Sequence, residues 1–340
     1  MMRLQSMLQS LQSNPKRWLV TGVAGFIGSH LLEFLLKNNQ YVVGVDNFST
    51  GYEANLEEIR FIVGDEKWQN FFFMQGDIRD FPMCRAACEG VNYVLHQAAL
   101  GSVLYSLNDP ITTNAVNVNG FLNMLVAARE ANVESFTYAS SSAVYGDGEA
   151  NAPNSEECLG CLLSPYAVTK YANELYAHAF ARVYGFNSIG LRYFNVFGPR
   201  QDSHGAYVAV IPIWITAMIQ QKDIYIYGDG TASRDFCYID NVVQANILAA
   251  TAENSAKNHV YNIAVQESTN LTRLFDYLKE AIASYGKYYH RSPIHQEHRA
   301  GDIKYSLGDI RKARMYLGYN PQYTVQLGII QAMSWYTSKL

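Results

Sequence analysis

Tyr166 and Lys170 stand four residues apart in the run Tyr-Ala-Val-Thr-Lys. That spacing puts both side chains on one face of a helix. An ammonium placed there favours the phenolate and draws the tyrosine below its ordinary pKa of about 10. A phenol tuned in this way exchanges a proton with a sugar hydroxyl near neutral pH. Upstream, residues 138–146 read Tyr-Ala-Ser-Ser-Ser-Ala-Val-Tyr-Gly and leave a strand at its carboxyl end. Doubly wound sheets bind ligands at that edge. Ser141 is the serine expected to hold the reacting oxygen. Three serines are also compatible with plain loop solvation, and Tyr166 with Lys170 is compatible with a surface pair. The combination favours a site. Tyr145 and Tyr171 are competing phenols, but neither has a lysine four residues later. Ser164-Pro165 reads as a helix start, with serine as cap and proline at the first position. Tyr166 then falls in the first turn, at the mouth of an alcohol–ketone redox site.

Such chemistry needs a hydride acceptor, and the N-terminal part offers a place for one. Residues 20–28 read Val-Thr-Gly-Val-Ala-Gly-Phe-Ile-Gly, following a strand and opening a helix. Gly22, Gly25 and Gly28 permit a tight turn and a close approach of backbone to a pyrophosphate, beside a helix N-terminus. Asp46 ends the next strand. A carboxylate there accepts from ribose hydroxyls and repels a 2′-phosphate, so NAD is preferred to NADP. Asp77 and Ile78 follow the third strand. Asp77 either accepts from the adenine amino group, with Ile78 beside the ring, or caps a helix. His96 precedes Gln97-Ala98-Ala99, small residues that let backbone approach the cofactor. His96 itself reads as structural.

Strands are expected at 18–21, 41–45, 71–75, 93–96, 135–139 and 188–192. Helices are expected at 26–37, 54–63, 82–88, 113–131 and 166–184. This alternation implies an α/β fold, a Rossmann-type doubly wound parallel sheet. After Asn195 the pattern loosens, with helices expected at 211–220, 242–252, 271–283 and 325–336. The division is an extension at 1–16, a dinucleotide-binding domain at 17–194 with some later segments returning to it, and a smaller substrate lobe at 195–340. An extra helix is expected at 4–13.

With 340 residues, 49% of them hydrophobic, the chain supports a large core and is not disordered. Its net charge of −4, without a basic block, speaks against nucleic acid. No apolar run approaches the roughly 20 residues of a membrane helix, and the start lacks a signal-peptide core. The cytoplasm is the expected compartment. Five scattered cysteines read as reduced thiols. Cys158 and Cys161 have metal-like spacing but no second pair, so no metal is expected.

Four segments together resemble the extended short-chain dehydrogenase/reductases, and within them the UDP-sugar 4-epimerases. They are the glycine turn, the serine segment, Tyr-x-x-x-Lys, and Leu191-Arg192-Tyr193-Phe194-Asn195-Val196-Phe197-Gly198. The likeness runs from about Arg17 to the C-terminus. Residues 96–102, 164–170 and 233–239 are similar to the bacterial UDP-N-acetylglucosamine 4-epimerases of surface-polysaccharide pathways. The resemblance implies bound NAD, a UDP-sugar and a transient 4-keto intermediate. It adds Phe26, Ile27, Asn47, Ser49, Thr50 and Gly51 to the cofactor site and packs Tyr193 near the nicotinamide. Asn195 becomes a diphosphate contact. Val210 and the run Tyr225-Ile226-Tyr227 become walls around uracil. Arg234, Arg299 and Asp302 become nucleotide contacts, in keeping with the guanidinium forks a diphosphate needs. Gly101, Ser102, Ser142, Gln201 and Ala209 become pocket residues. Ser306 stands where members restricted to plain hexoses carry a bulky residue, which leaves room for an N-acetyl group.

Leu104-Tyr105 departs from a Pro-Arg of close relatives, which leaves the uronate form of the sugar open. A dehydratase would need an acid–base pair where Ser142-Ala143 stands. A UDP-glucuronate decarboxylase is similarly disfavoured. A non-catalytic NAD-binding scaffold has no need of a tuned phenol. The apolar faces of helices 113–131 and 166–184 suit a homodimer, although burial within one chain explains them equally.

Overall fold

The apolar run Trp18-Leu19-Val20 is wholly buried in the first strand, β1 (Arg17–Thr21), at the middle of a parallel sheet. Strands covered on both faces read as continuous apolar runs. The computed structural model describes residues 7, 9, 11–146, 152–202, 209–297 and 304–339. The other strands of the sheet are β2 (Tyr41–Asp46), β3 (Phe71–Gln75), β4 (Tyr93–His96), β5 (Ser135–Ser141) and β6 (Ser188–Tyr193), with His259–Ile263 as a seventh. Their order is seventh strand, β6, β5, β4, β1, β2, β3, and every pair is parallel. The chain works outward from β1 to β3, then restarts on the other side at β4. That reversal opens a crevice at the carboxyl ends of β1 and β4.

Helix Phe26–Lys37 buries Leu31, Leu32, Leu35 and Leu36, one apolar stripe against the sheet. Helix Pro165–Tyr184 starts at Ser164, whose Oγ accepts from the Ala167 amide at 3.2 Å, and stops at Gly185 in the left-handed conformation. Between them, the helical stretch from Pro110 to Glu130 contains one wide π-helical turn, Ala115–Gly120. Apolar residues fill both faces of the sheet, in two separate clusters.

Several expectations need correction. The helix expected at 54–63 runs over Glu53–Trp68, because Gly64 takes a positive φ of 80° and lets a second helical turn follow. The seventh strand was not expected. Its Val-Tyr-Asn-Ile pattern is short and stands after a helix, Ile239–Ala250, that is itself buried almost all round. Among the described residues, shorter strands pair in three small sheets. At the N-terminus, residues 7, 9 and 11–13 are helical and Leu11 is buried; the rest of the helix expected at 4–13 lies outside the described residues.

Candidate active site

The turn after β1 folds tightly for steric reasons. Gly22 has φ 69°, and a Cβ on it would stand 2.9 Å from the Ala98 amide. A Cβ on Gly28 would stand 2.0 Å from the Gly22 carbonyl, so the helix can begin this close only with glycine there. No side chain caps that helix at Gly25. Its first amides and its dipole are thus oriented for an anion. The turn forms one end of a cavity of about 280 Å³. Gly22, Gly25, Phe26, Ile27 and Gly28 line it together with Asp46, Asn47, Ser49 and Thr50. Asp77 and Ile78 close one side, and Gln97, Ala98 and Ala99 the other. Gly51 packs behind, a Cβ there reaching 3.0 Å from Asp46 Oδ2.

Asp46 Oδ2 accepts from the Ala24 amide at 2.9 Å and Oδ1 from the Phe48 amide at 2.8 Å. Burial raises its pKa and these amides oppose the rise. Asp77 is not a helix cap, because Asp80 occupies that position before Phe81–Cys88. Its carboxylate is instead gripped by Arg79 and by Asn47 Nδ2 at 2.8 Å, and the hydrogen bonds of Arg79 hold its pKa down at about 2. The uncapped helix, the acid at the end of β2 and the cavity they line together fit a dinucleotide. His96 takes no part. It is buried, bonds Thr21 Oγ1 at 2.9 Å through Nδ1, and burial pulls its pKa to about 3.

Ser141 ends β5 in register with Tyr193 on β6. Its Oγ accepts from the Ala143 amide at 3.1 Å and stands beside Tyr166, whose own amide donates to Ser106 Oγ at 3.1 Å. Burial raises the Tyr166 phenol above its ordinary value, and the Ser141 hydrogen bond opposes the rise. The expected lowering by Lys170 is not found. Lys170 Nζ donates to the Ala139 carbonyl at 2.9 Å, stands 5.9 Å from the centre of the Tyr166 ring, and is itself drawn down to about 8 by burial. Ser142 is half-buried and begins the tight turn Ser142–Tyr145. Tyr193 is buried; its hydroxyl donates to Gln97 Oε1 at 3.2 Å and accepts from Asn246 Nδ2 at 2.9 Å.

A second and larger cavity, about 710 Å³, opens beyond β6. Asn195, Ala209, Val210, Tyr225, Tyr227 and Arg234 line it. Asn195 is held in the left-handed region at φ 33° and donates to the Asp235 carbonyl at 3.0 Å. Ile226 is a correction. Strand alternation turns it into the core, fully buried between two wall tyrosines. Gly101 faces the dinucleotide cavity rather than this one, and Ser102 caps helix Val103–Asn108 by accepting from the Tyr105 amide at 3.0 Å. Ser306 is buried beside Arg234 as its partner in a parallel strand pair, without lining the cavity. Gln201 donates to the Val196 carbonyl at 3.0 Å, and its Oε1 is buried with no partner among the described residues. Arg299 and Asp302 lie outside the described residues.

Sequence reasoning missed Trp214, Phe236, Leu271 and Lys304 in this wall. The first had a readable signal: Val210, Ile213, Trp214 and Ala217 fall on one helical face. Lys304 had none beyond its place two residues before Ser306.

A family model described as the NAD dependent epimerase/dehydratase family matches residues 18–264. The chain belongs to this family. The cofactor of the family is NAD, in keeping with the cradle around Gly22 and Asp46. Three similar proteins carry three different sugars in their names. UDP-glucose 4-epimerase of Mycolicibacterium smegmatis is 33% identical, over 95% of this chain and 99% of its own. UDP-glucuronate 4-epimerase of Thermodesulfobacterium geofontis is 33% identical, over 94% and 95%. The structure of UDP-N-acetylglucosamine 4-epimerase from Methanobrevibacter ruminantium, in complex with UDP-N-acetylmuramic acid, superposes with a TM-score of 0.86 at 34% identity, over 96% of this chain and 99% of its own. Among the described residues, no helix is long and apolar enough to cross a membrane.

Proposed function

We propose that this protein is an NAD-dependent UDP-sugar 4-epimerase and that its sugar is an N-acetylhexosamine. One observation carries the reading. Along the carboxyl edge of the sheet follow, in strand order, the dinucleotide cradle of β2, β1 and β4, then Ser141 at the end of β5 beside Tyr166 of helix Pro165–Tyr184, then β6, whose continuation Asn195, Val196 and Phe197 lines the large cavity. A nucleotide held in the large cavity and a dinucleotide in the cradle leave the reacting sugar at the phenol.

Tyr166 takes the proton of the sugar 4-hydroxyl, and Ser141 holds the same oxygen. Lys170 has three donors and uses one on Ala139, which leaves two for ribose hydroxyls. Arg234 and Asn195 hold the diphosphate, so the 4-keto sugar can turn while UDP stays anchored. NAD, when bound, supplies hydride exchange at the sugar 4-carbon. The likeness to the N-acetylglucosamine enzyme supports the acetylated sugar. The glucuronate relative favours a second reading, the UDP-N-acetylglucosaminuronate epimerase.

The test is incubation of purified protein, without added NAD, with UDP-GlcNAc, UDP-Glc and UDP-GlcNAcA side by side. Fastest conversion of UDP-GlcNAc to UDP-GalNAc is expected. A preference for the uronate moves the assignment to the second reading, an accumulating keto-sugar identifies a dehydratase, and no conversion identifies a scaffold. A homodimer is proposed on the exposed apolar side chains of helix Pro165–Tyr184, among them Val168, Leu175, Val183 and Tyr184, with Leu107 and Ile111 beside them. A monomer mass by light scattering would remove it.

A further inference from the structure

Behind Ser141 lies a buried polar network that the reaction itself does not use. Glu174 stands one helical turn beyond Lys170 and two beyond Tyr166, on the same face of helix Pro165–Tyr184. Its Oε1 accepts from Ser140 Oγ and from Arg192 Nε at 2.9 Å, and its Oε2 accepts from Arg192 Nη2 at 2.7 Å. Ser140 immediately precedes Ser141 on β5, Arg192 immediately precedes Tyr193 on β6, and the two are register partners. Arg192 Nη1 also donates to the Tyr145 hydroxyl at 3.0 Å and to the Glu156 carbonyl at 3.1 Å. Tyr145 closes the turn that follows Ser141 and donates in turn to Asn262 on the seventh strand.

The strand that ends in Ser141 is therefore fastened to the helix that begins with Tyr166 at two successive residues. Lys170 bonds the Ala139 carbonyl and Glu174 bonds the Ser140 hydroxyl. Ion pairs as deeply buried as Glu174–Arg192, 7% and 2% exposed, are weak sources of net stability, because desolvation offsets their attraction. What this one supplies is direction. Four charge-assisted or hydroxyl bonds fix helix, β5, β6 and the turn after Ser141 relative to one another.

We propose that Glu174 is a positioning residue for the catalytic pair: by holding Ser140 and Arg192 together it sets the separation of Ser141 and Tyr166. This rests on the reading of those two as the reacting groups. A displacement of about 1 Å in such a site costs on the order of 100-fold in rate, so a partial loosening is expected to cost about tenfold.

Removing Glu174 outright strands a buried guanidinium and risks unfolding, so the test begins at Ser140. Ser140→Ala is expected to lower kcat about tenfold with KM for UDP-GlcNAc within about twofold, because the nucleotide cavity is untouched. Ser140→Thr, which keeps the hydroxyl, is expected to restore kcat. Glu174→Gln keeps an acceptor for Ser140 but turns an amide donor toward Arg192, and its kcat is expected to fall further. A merely structural role would lower the melting temperature of Ser140→Ala and leave its kcat unchanged well below that temperature; that result overturns the proposal. Amide hydrogen exchange reads the same geometry without turnover. Faster exchange in peptides spanning 139–145 and 164–170, with distant peptides unchanged, is expected in Ser140→Ala. A wild type that epimerises nothing defeats the functional reading alone. Unchanged exchange in both peptides defeats the positioning role, whatever the wild type does.

Discussion

Replacing Lys170 with methionine should make the protein more stable and nearly inactive. The side chain is 4% exposed and carries its charge in a place that draws its pKa from 10.5 to about 8. That gap corresponds to about 3 kcal/mol of burial cost at pH 7. Methionine has a similar length and no charge. It forfeits the bond to the Ala139 carbonyl, about 1 kcal/mol. The net expectation at pH 7 is a gain of about 2 kcal/mol. The sign with pH follows from proton counting. Between about pH 8 and 10.5 the unfolded chain holds the lysine proton and the folded protein does not, so wild-type stability rises across that window. The advantage of Lys170→Met should be full below about pH 8 and gone near pH 10.5. Urea unfolding of refolded, nucleotide-free protein at about pH 7 and pH 10 measures both. A variant no more stable than wild type at pH 7, or a difference that ignores pH, would refute the burial argument. Turnover should fall at least about 100-fold, the usual exchange of activity for stability at a strained site.

Tyr166→Phe should lower kcat by about 100-fold or more, with UDP affinity by calorimetry within about twofold of wild type. Gly28→Ala places a methyl group 2.0 Å from the Gly22 carbonyl, so the helix must retreat from the turn. Released nucleotide, measured after denaturation, should fall below about a tenth of the wild-type content. Burial raises Asp235 from 3.8 to about 7, against three backbone amides that oppose the rise. Its contribution to stability is therefore full below about pH 4 and lost as pH climbs through 7. Asp235→Asn should flatten the pH dependence of urea unfolding in that window; an unchanged slope would show that another group titrates there.

The parallel sheet was readable because its first six strands are short apolar runs that alternate with segments of helical periodicity. The approach of Tyr166 and Lys170 to the end of β5 was readable because it depends on a four-residue spacing in one helix and on one strand end. The dinucleotide cradle was readable for the same reason: Gly22, Gly25, Gly28 and Asp46 lie on consecutive elements. What escaped depends on contacts far apart in the chain. The Glu174–Arg192 pair joins a helix to a strand, and nothing in the sequence around either residue points to the other. Ile226 went to the wrong side because strand phase is set by its partner, Ile294–Gln296, which sequence did not reveal. The effect of Lys170 on Tyr166 failed for a physical reason. At this burial the cost of charge exceeds the help of a neighbour, and the ammonium spends its hydrogen bond on β5.

The strand His259–Ile263 has a consequence for how the molecule is made. It lies alongside β6, and its Asn262 bonds Tyr145 from across 117 residues. A fragment stopping at 194 would leave β6 as a bare, sticky border. The nascent chain cannot finish its central sheet until about three-quarters of it has been synthesised. Distant pairings of this kind slow folding and lengthen exposure to aggregation. Two-piece expression or domain exchange at the apparent midpoint should therefore give insoluble halves.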